Sequence, residues 1–157
     1  MTETFSTRTV CCKLAVDVMA DVALHKTAHA FNAAASYCAK VAWEQHVTNK
    51  NKLHRIVYGQ TRIQFGLGAQ LACCARDKAA EAVRATRTNG IDTCPTFAPD
   101  GSIRYDARTC HLISRDRVSL NTICGRVITQ LVLGDYQRRQ LYDLTWEIGG
   151  AELNSFS

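Results

Sequence analysis

Residues 98–133 read "APDGSIRYDARTCHLISRDRVSLNTICGRVITQLVL", and this stretch decides the fold class. It opens with proline, aspartate and glycine in the order that a tight turn requires. Short segments rich in apolar residues follow, which predicts strands at about residues 102–106, 109–114, 117–122 and 126–132. Arginine recurs among the apolar residues, so the predicted sheet should expose a basic face.

The chain before this stretch predicts one strand and then helices. Residues 7–16, "TRTVCCKLAV", alternate polar and apolar side chains as a half-buried strand does. Apolar residues at steps of three and four predict long helices over about residues 20–47 and 67–85. Between them we predict a polar loop at residues 48–52 and a shorter helical piece, interrupted by glycine, at residues 53–68.

The order of elements favours an α+β fold. A short helix is predicted within "GDYQRRQLYDL" and a last strand within "TWEIGGAEL". Strand, helices and then several strands fit a β-barrel or sandwich whose first strand is followed by a helical insertion. We therefore assign residues 1–18 and 91–157 to a β domain and residues 19–90 to a helical lobe.

Composition excludes several classes of protein. The 157 residues are 46% apolar, enough to bury a core. The eight cysteines include two adjacent pairs but no CxxC, and no secretory segment opens the chain. We expect reduced thiols in a cytoplasmic protein, with no structural zinc, no other metal and no cofactor. No apolar run approaches the ~20 residues that span a bilayer, so we expect no membrane contact.

The basic residues predict a nucleic-acid-binding surface. Residues 1–90 hold 12 Lys and Arg against 6 Asp and Glu, and the seven basic residues in 91–157 are all arginines. Arginine suits bidentate contacts with phosphate and base edges. We expect a cleft between the lobes, lined by Lys50, Lys52, Arg55, Arg62, Arg84, Arg87, Arg104, Arg108, Arg115, Arg117, Arg126, Arg138 and Arg139. The alternative is that these are the ordinary exposed cations of a polar face.

Aromatic residues offer bases a surface on which to stack. Tyr37, Trp43, Tyr58 and Tyr105 are the candidates, although each one taken alone favours a place in the core.

Catalytic chemistry is not predicted. Asp21, His25 and His29 have helical spacing but no further ligand, so a solvated helix face is favoured. His111 with Asp116 is left open as a hydrolase pair. Nucleotide-binding and nucleophile-elbow motifs are absent from the sequence, and caps and surface charge explain the remaining carboxylates, which are Asp135, Asp143, Glu147 and Glu152.

Four segments carry a resemblance to a known family. They are "FNAAASYCAKVAWE" (31–44), "YGQTRIQFGLGAQLACCARDKAAEA" (58–82), "PTFAPDGSIRYDARTCHLISRDRVSLNTICGRVITQLVLGDYQRRQL" (95–141) and "WEIGGAEL" (146–153). In this order they resemble the amino-terminal half of TnpB-like proteins, the OrfB transposases related to compact type V CRISPR effectors.

The resemblance implies a function and a limit. The strands would form the wedge-like β-barrel of that family and the inserted helices its recognition lobe, which together hold a guide RNA and read a motif beside the target DNA. Family members continue into a RuvC-like nuclease domain that this chain does not match. We therefore expect binding without cleavage, with a non-functional transposon remnant or an interaction module as the alternative.

Overall fold

A computed structural model of the protein describes residues 5–155. Residues 1–4 and 156–157, the ends of the predicted β domain, lie outside the described residues. The elements in chain order are β1 (Lys13–Ala15), α1 (Val18–Glu44), α2 (Lys50–Phe65), α3 (Ala69–Thr88), β2 (Ile103–Asp106), β3 (Cys110–Leu112), β4 (Arg117–Thr122), β5 (Gly125–Val132), α4 (Asp135–Leu141) and β6 (Gly150–Leu153). The predicted α+β class is confirmed.

Two asparagine or aspartate caps decide where the first helices begin. Asp17 accepts a hydrogen bond from the Ala20 N–H at 2.7 Å and starts α1. Asn49 accepts from the Lys52 N–H at 3.0 Å and starts α2. The predicted loop over residues 48–52 was therefore too long, because Asn49 caps α2 and the helix begins at Lys50.

Helix α2 also passes through Gly59 without a break, contrary to the prediction. One glycine in a helix interior costs only about 1 kcal/mol, and a buried stripe of Leu53, Val57 and Thr61 runs past it on the other side of the helix. The helix ends at Gly66, whose φ of 67° is left-handed and suits glycine.

The buried side of helix α3 extends well past the middle of the helix, whereas its sequence predicted an apolar stripe in the first half only. The buried side chains run from Leu71 to Val83 and are mostly alanine. Because alanine is small, α3 can approach α1 closely, and Ala34, Ala35 and Ala39 of α1 are likewise fully buried. The periodicity of large residues missed this interface.

The strands form two antiparallel sheets. The larger sheet has the order β1-β5-β4-β3, with Leu14 opposite Leu131 and Val118 opposite Thr129. The smaller pairs β2 with β6. Strand β1 has only three residues, yet the predicted alternation persists beyond it, since even-numbered residues from Val10 to Val16 are half-buried and odd-numbered ones are exposed.

One hydrophobic core joins the helices to the sheets. Phe31 of α1 and Leu71 of α3 belong to the same buried cluster as Tyr105 of β2 and Leu120 of β4. A second cluster lies among the helices only, around Ala39, Leu53 and Val83. Apolar side chains fill this contact between helices and sheet, and the predicted cleft between two lobes stays a prediction. The division into two domains stays a prediction.

All eight cysteines are free thiols. Cys11 and Cys124 are exposed, whereas Cys38 and Cys74 are buried. Burial, followed by the nearby charges of Asp106 and Asp77, raises the pKa of the Cys74 thiol to about 12. Burial likewise raises the pKa of Cys38. Among residues 5–155, each helix is too short or too polar to span a bilayer.

We expect the native thiols to differ in reactivity by position. N-ethylmaleimide at pH 8 should label Cys11 and Cys124 first, because they are exposed and the thiolate is the reactive form. Cys38 and Cys74 should be labelled only after denaturation. Peptide mapping by mass spectrometry over a time course reads each site. Labelling of native Cys74 as fast as that of Cys124 would contradict the packing of α3.

Candidate nucleic-acid interface

The larger sheet has one face on the core and one face towards solvent. Along β4, Val118, Leu120 and Thr122 are buried on the core side, while the outer face carries exposed Arg117, half-buried Asn121 and Ser119, which is buried and accepts from Arg126. On β5, Val127, Thr129 and Leu131 are directed inward, while the outer face carries Arg126, Ile128, Gln130 and Val132. This alternation is the period of two expected for a sheet that is solvated on one side.

The segment before β4 and helix α4 extend this outer face. The Arg115 guanidinium lies 5.1 Å from the centre of the Tyr142 ring, just after α4. Tyr142 and Arg138 line one groove together with Gln130 and Val132 of the sheet. We call the outer face with Arg115, Arg117, Arg126 and Arg138 the arginine face.

The arginine face is cationic and partly apolar. Its four arginines are exposed, and Ile128 and Val132 between them are 52% and 56% exposed. Among residues 5–155, only Arg138 has a carboxylate within 4.0 Å, at 3.5 Å from the well-exposed Asp135. The face therefore presents charge that internal ion pairs do not neutralise.

Arg126 is held in place on this face. Its guanidinium donates to the Ser119 hydroxyl at 3.0 Å and to the Arg108 carbonyl in the turn before β3. Arg108 in turn donates to the Gln70 side chain of α3 at 3.3 Å. These bonds order two arginines without using a carboxylate, so both keep their full charge.

A second group of predicted cations lies on the exposed side of α2. Lys52, Arg55 and Arg62 point away from the buried stripe of α2. The helix as a whole contains no Asp or Glu. The Arg62 guanidinium lies 5.8 Å from the centre of the Tyr58 ring. These cations lie on α2, which packs on α1 and α3. They therefore belong to a different element from the arginine face.

A third group is used within the protein. Lys50 and Arg104 both contact the Glu81 carboxylate, at 2.9 and 2.7 Å. Partial desolvation acts to raise the pKa of Glu81, but the hydrogen bonds from these two cations outweigh it and the net pKa is lowered. Their charge is therefore partly neutralised in the folded protein.

Two more arginines cap the helical end of the molecule. Arg84 donates to the Thr48 carbonyl at 3.3 Å, and Arg87 donates to the Trp43 carbonyl at 2.6 Å. The Arg87 guanidinium also covers the Trp43 ring at 4.9 Å. The predicted cations thus lie on several elements, and some of them have partners within the protein; the last of them, Arg139, is exposed on α4.

The predicted stacking aromatics are occupied by the protein itself. Tyr105 is 2% exposed and donates its hydroxyl to the Asn121 carbonyl at 2.9 Å, so it is a core residue. Tyr37 packs against Phe65, Tyr58 lies against His54, and Arg87 covers Trp43. As candidates for base stacking, Tyr105 is therefore excluded and the other three are partly covered.

The acidic and histidine candidates do not converge. Asp21 and His25 pair at 3.4 Å on the exposed side of α1, and His29 is also exposed. Asp135, Glu147 and Glu152 are exposed on separate segments. No hydrogen bond joins His111 to Asp116, and within residues 5–155 no three His, Cys, Asp or Glu side chains gather as a metal site.

Asp143 has a local structural role. It accepts from the Thr145 hydroxyl at 2.7 Å and from the Thr145 N–H at 3.0 Å, and these bonds lower the pKa of its carboxyl. This is the turn or cap role that its context predicted.

Sequence reasoning missed three members of this surface. Tyr142, Gln130 and Lys13 were not candidates, although Lys13 lies on the exposed side of β1. Strand parity in residues 126–132 contained the signal for Gln130. For Tyr142 the sequence contained no such signal, because only the packing of α4 beside the sheet brings it to Arg115.

Comparison of the sequence with models of protein families and with curated proteins finds no match.

Proposed function

We propose that the protein binds nucleic acid through the arginine face. The observation that carries the proposal is that Arg115, Arg117 and Arg126 are exposed together on one side of the sheet with no carboxylate within 4.0 Å among residues 5–155. A polyanion reaching them has no internal ion pair to displace. Each phosphate contact then releases condensed counterions, which favours binding at low salt.

The chemistry of the face supports a nucleic acid over a small anion. Arginines on neighbouring strands and on α4 extend over several residues, as a phosphate chain requires, and each guanidinium can contact phosphate bidentately. The exposed Ile128 and Val132 offer sugars and bases an apolar surface. Lys52, Arg55 and Arg62 on α2 are proposed as a secondary contact.

The resemblance to TnpB-like proteins refines the proposal. On that basis the ligands are a guide RNA and target DNA in a cytoplasmic, transposon-associated protein, and helices α1–α3 are the recognition lobe. The two sheets would then form one wedge-like barrel, since the tight turn from Asp106 to Thr109 links β2 directly to β3. The proposal assigns no catalytic step to these residues.

The test is a binding titration with a charge-matched control. Arg115→Ala combined with Arg117→Ala should weaken binding of a fluorescein-labelled RNA hairpin roughly tenfold or more, because a hydrogen bond to a charged group contributes about 1.5–3 kcal/mol. The slope of log K against log salt should fall by about 1 for each arginine removed. Fluorescence anisotropy measures both quantities.

The control removes the same charge elsewhere. Lys26→Ala combined with Lys40→Ala changes two exposed lysines of α1 and should leave the affinity within about threefold. Equal losses of affinity in both double variants would show that net charge alone causes the effect, and would contradict the proposal. Absence of binding by the unaltered protein at low salt would favour a remnant or an interaction module that does not bind nucleic acid.

A further inference from the structure

The exposed side of α2 has a glycine at its centre that the fold does not require. Gly59 has helical backbone angles, so no left-handed φ calls for glycine there. A Cβ at this position would lie in open space, with no other element of residues 5–155 within 4 Å. Glycine inside a helix is destabilising relative to alanine. This position therefore lowers the stability of α2 without any gain in packing.

The neighbours of Gly59 on the helix surface are large. At 3.6 residues per turn, the residues three and four positions away lie beside it. Arg55 and Arg62 are on one side of it, and Ile56 and Ile63 are on the other. Ile63 is 84% exposed and Ile56 is 41% exposed, and both arginines are exposed as well. Gly59 is thus the floor of a notch between two guanidinium groups and two apolar side chains, which we call the α2 notch.

The surface around the α2 notch is cationic and can form hydrogen bonds. Lys52 is exposed two turns before Gly59 on the same side of the helix, and exposed Gln60 follows Gly59. Within the described part of the chain, no carboxylate lies within 4.0 Å of Lys52, Arg55 or Arg62. Arginine, lysine and glutamine are side chains that contact base edges in the major groove of DNA, and apolar side chains contact the thymine methyl group.

We propose that the exposed side of α2 docks in the major groove of B-form DNA, with Gly59 at the point of closest approach. This groove is about 12 Å wide and admits an α-helix. A missing side chain lets the helix backbone come nearer to the base edges. An RNA duplex does not suit α2, because its major groove is deep and narrow. The proposal rests on the proposed nucleic-acid binding, in which α2 is the secondary contact, and makes α2 the site for duplex DNA.

A lipid surface is the competing partner for a basic helix. Helices that lie on membranes bury a large apolar side, with tryptophan, phenylalanine or leucine on it. The exposed side of α2 has only Ile56 and Ile63, and Gly59 and Gln60 lie between them. A glycine at the centre would reduce the apolar area that a membrane could bury. The pattern therefore favours DNA, whose charge complements the cations and whose groove explains the glycine.

The experiment uses a substitution that should stabilise the protein and weaken its binding. Gly59→Gln replaces glycine with a good helix former, so the melting temperature should rise by about 2 °C. The new side chain fills the α2 notch. The affinity for a short fluorescein-labelled DNA duplex should therefore fall roughly tenfold, the effect of losing one good contact to a base. Thermal melts and fluorescence anisotropy measure the two quantities.

Two further variants separate the notch from general effects. Ala33→Gln is the matched control, because it places the same side chain at an exposed small residue of α1. It should leave the affinity for the duplex unchanged. Arg55→Ala combined with Arg62→Ala removes the charged side of the α2 notch and should weaken the same complex.

Each outcome distinguishes this proposal from the proposed arginine face. If folded Gly59→Gln binds the duplex as tightly as the unaltered protein, or if neither binds it at low salt, the α2 proposal is overturned. Binding of the RNA hairpin through Arg115 and Arg117 would stand in both cases. Duplex binding that Gly59→Gln weakens, without any binding of the hairpin, would support α2 and refute the arginine face. Tighter binding to phosphatidylserine vesicles than to the duplex, lost in Gly59→Gln, would identify a lipid surface and overturn the α2 proposal.

Discussion

Phe31→Ala is expected to destabilise the whole protein by about 3–5 kcal/mol, the range for removing a fully buried phenylalanine. The side chain is 0% exposed and lies in the cluster that joins α1 and α3 to β2 and β4. A domain of ordinary stability has only about 5–15 kcal/mol in total. Urea unfolding monitored by circular dichroism measures the loss.

The same variant also tests the two-domain division. Trp43 reports on the helical end and Trp146 on the segment before β6, so single-tryptophan versions give separate transitions. Because one core is shared, both transitions should shift together. Phe5→Ala, at an 89% exposed position, is the matched control and should change stability by less than about 0.5 kcal/mol. An unshifted Trp146 transition would show two independent folding units.

Asn32→Leu is expected to cost about 2–4 kcal/mol although it adds apolar volume, because it leaves buried polar groups without partners. Asn32 is 0% exposed. Its amide donates to the carbonyls of Ala28 and Gly101, both at 2.9 Å. Its side-chain oxygen accepts from the Lys78 ammonium at 3.0 Å.

The surroundings leave little room for a rearrangement. A Cβ on Gly101 would lie 3.3 Å from the Asn32 side-chain oxygen and 3.0 Å from the Ala98 carbonyl oxygen, so any larger residue here would require its neighbours to shift by a few tenths of an ångström. Lys78 also donates to the Ser102 carbonyl at 2.7 Å. The network therefore fastens the segment before β2 to both long helices.

Thr27→Val provides a graded comparison on the same helix. Thr27 is also 0% exposed; its hydroxyl donates to the Ala23 carbonyl at 2.7 Å and accepts from the Ile123 N–H at 3.0 Å. Losing these two bonds should cost about 1–2 kcal/mol, less than the loss of three in Asn32→Leu. Thermal melts of the two variants show directly which substitution destabilises the protein more. If Asn32→Leu loses no more stability than Thr27→Val, the hydrogen bonds around Lys78 must rearrange so that no buried polar group is left without a partner.

Local patterns predicted most of the elements. Strands β4 and β5 lie where alternation placed them, and the long first helix begins within two residues of its predicted start. Errors arose where one capping or packing interaction overrides the pattern. Asn49 begins a helix inside a predicted loop, and the small alanines of α3 form an interface that large-residue periodicity cannot reveal.

The candidate site was less predictable than the fold. The list of cations named every arginine of the arginine face, but it also included Lys50 and Arg104, which pair with Glu81 at the surface. Composition shows which residues carry charge, but it does not show which of them form ion pairs in the folded protein. Tyr105 was a candidate for base stacking and is a core residue, whereas Tyr142 was overlooked and lies beside Arg115.

The sequence by itself determined the α+β class, the order of strand, helices and strands, and the outward direction of Arg117 and Arg126, because helix and strand periods are local properties of a chain. Only the tertiary structure decided which cations stay free and which residues surround Asp116. Those outcomes depend on contacts between distant segments, such as Gln130 with Asp116 and Tyr142 with Arg115. Such contacts follow from how the elements pack, which no single segment specifies.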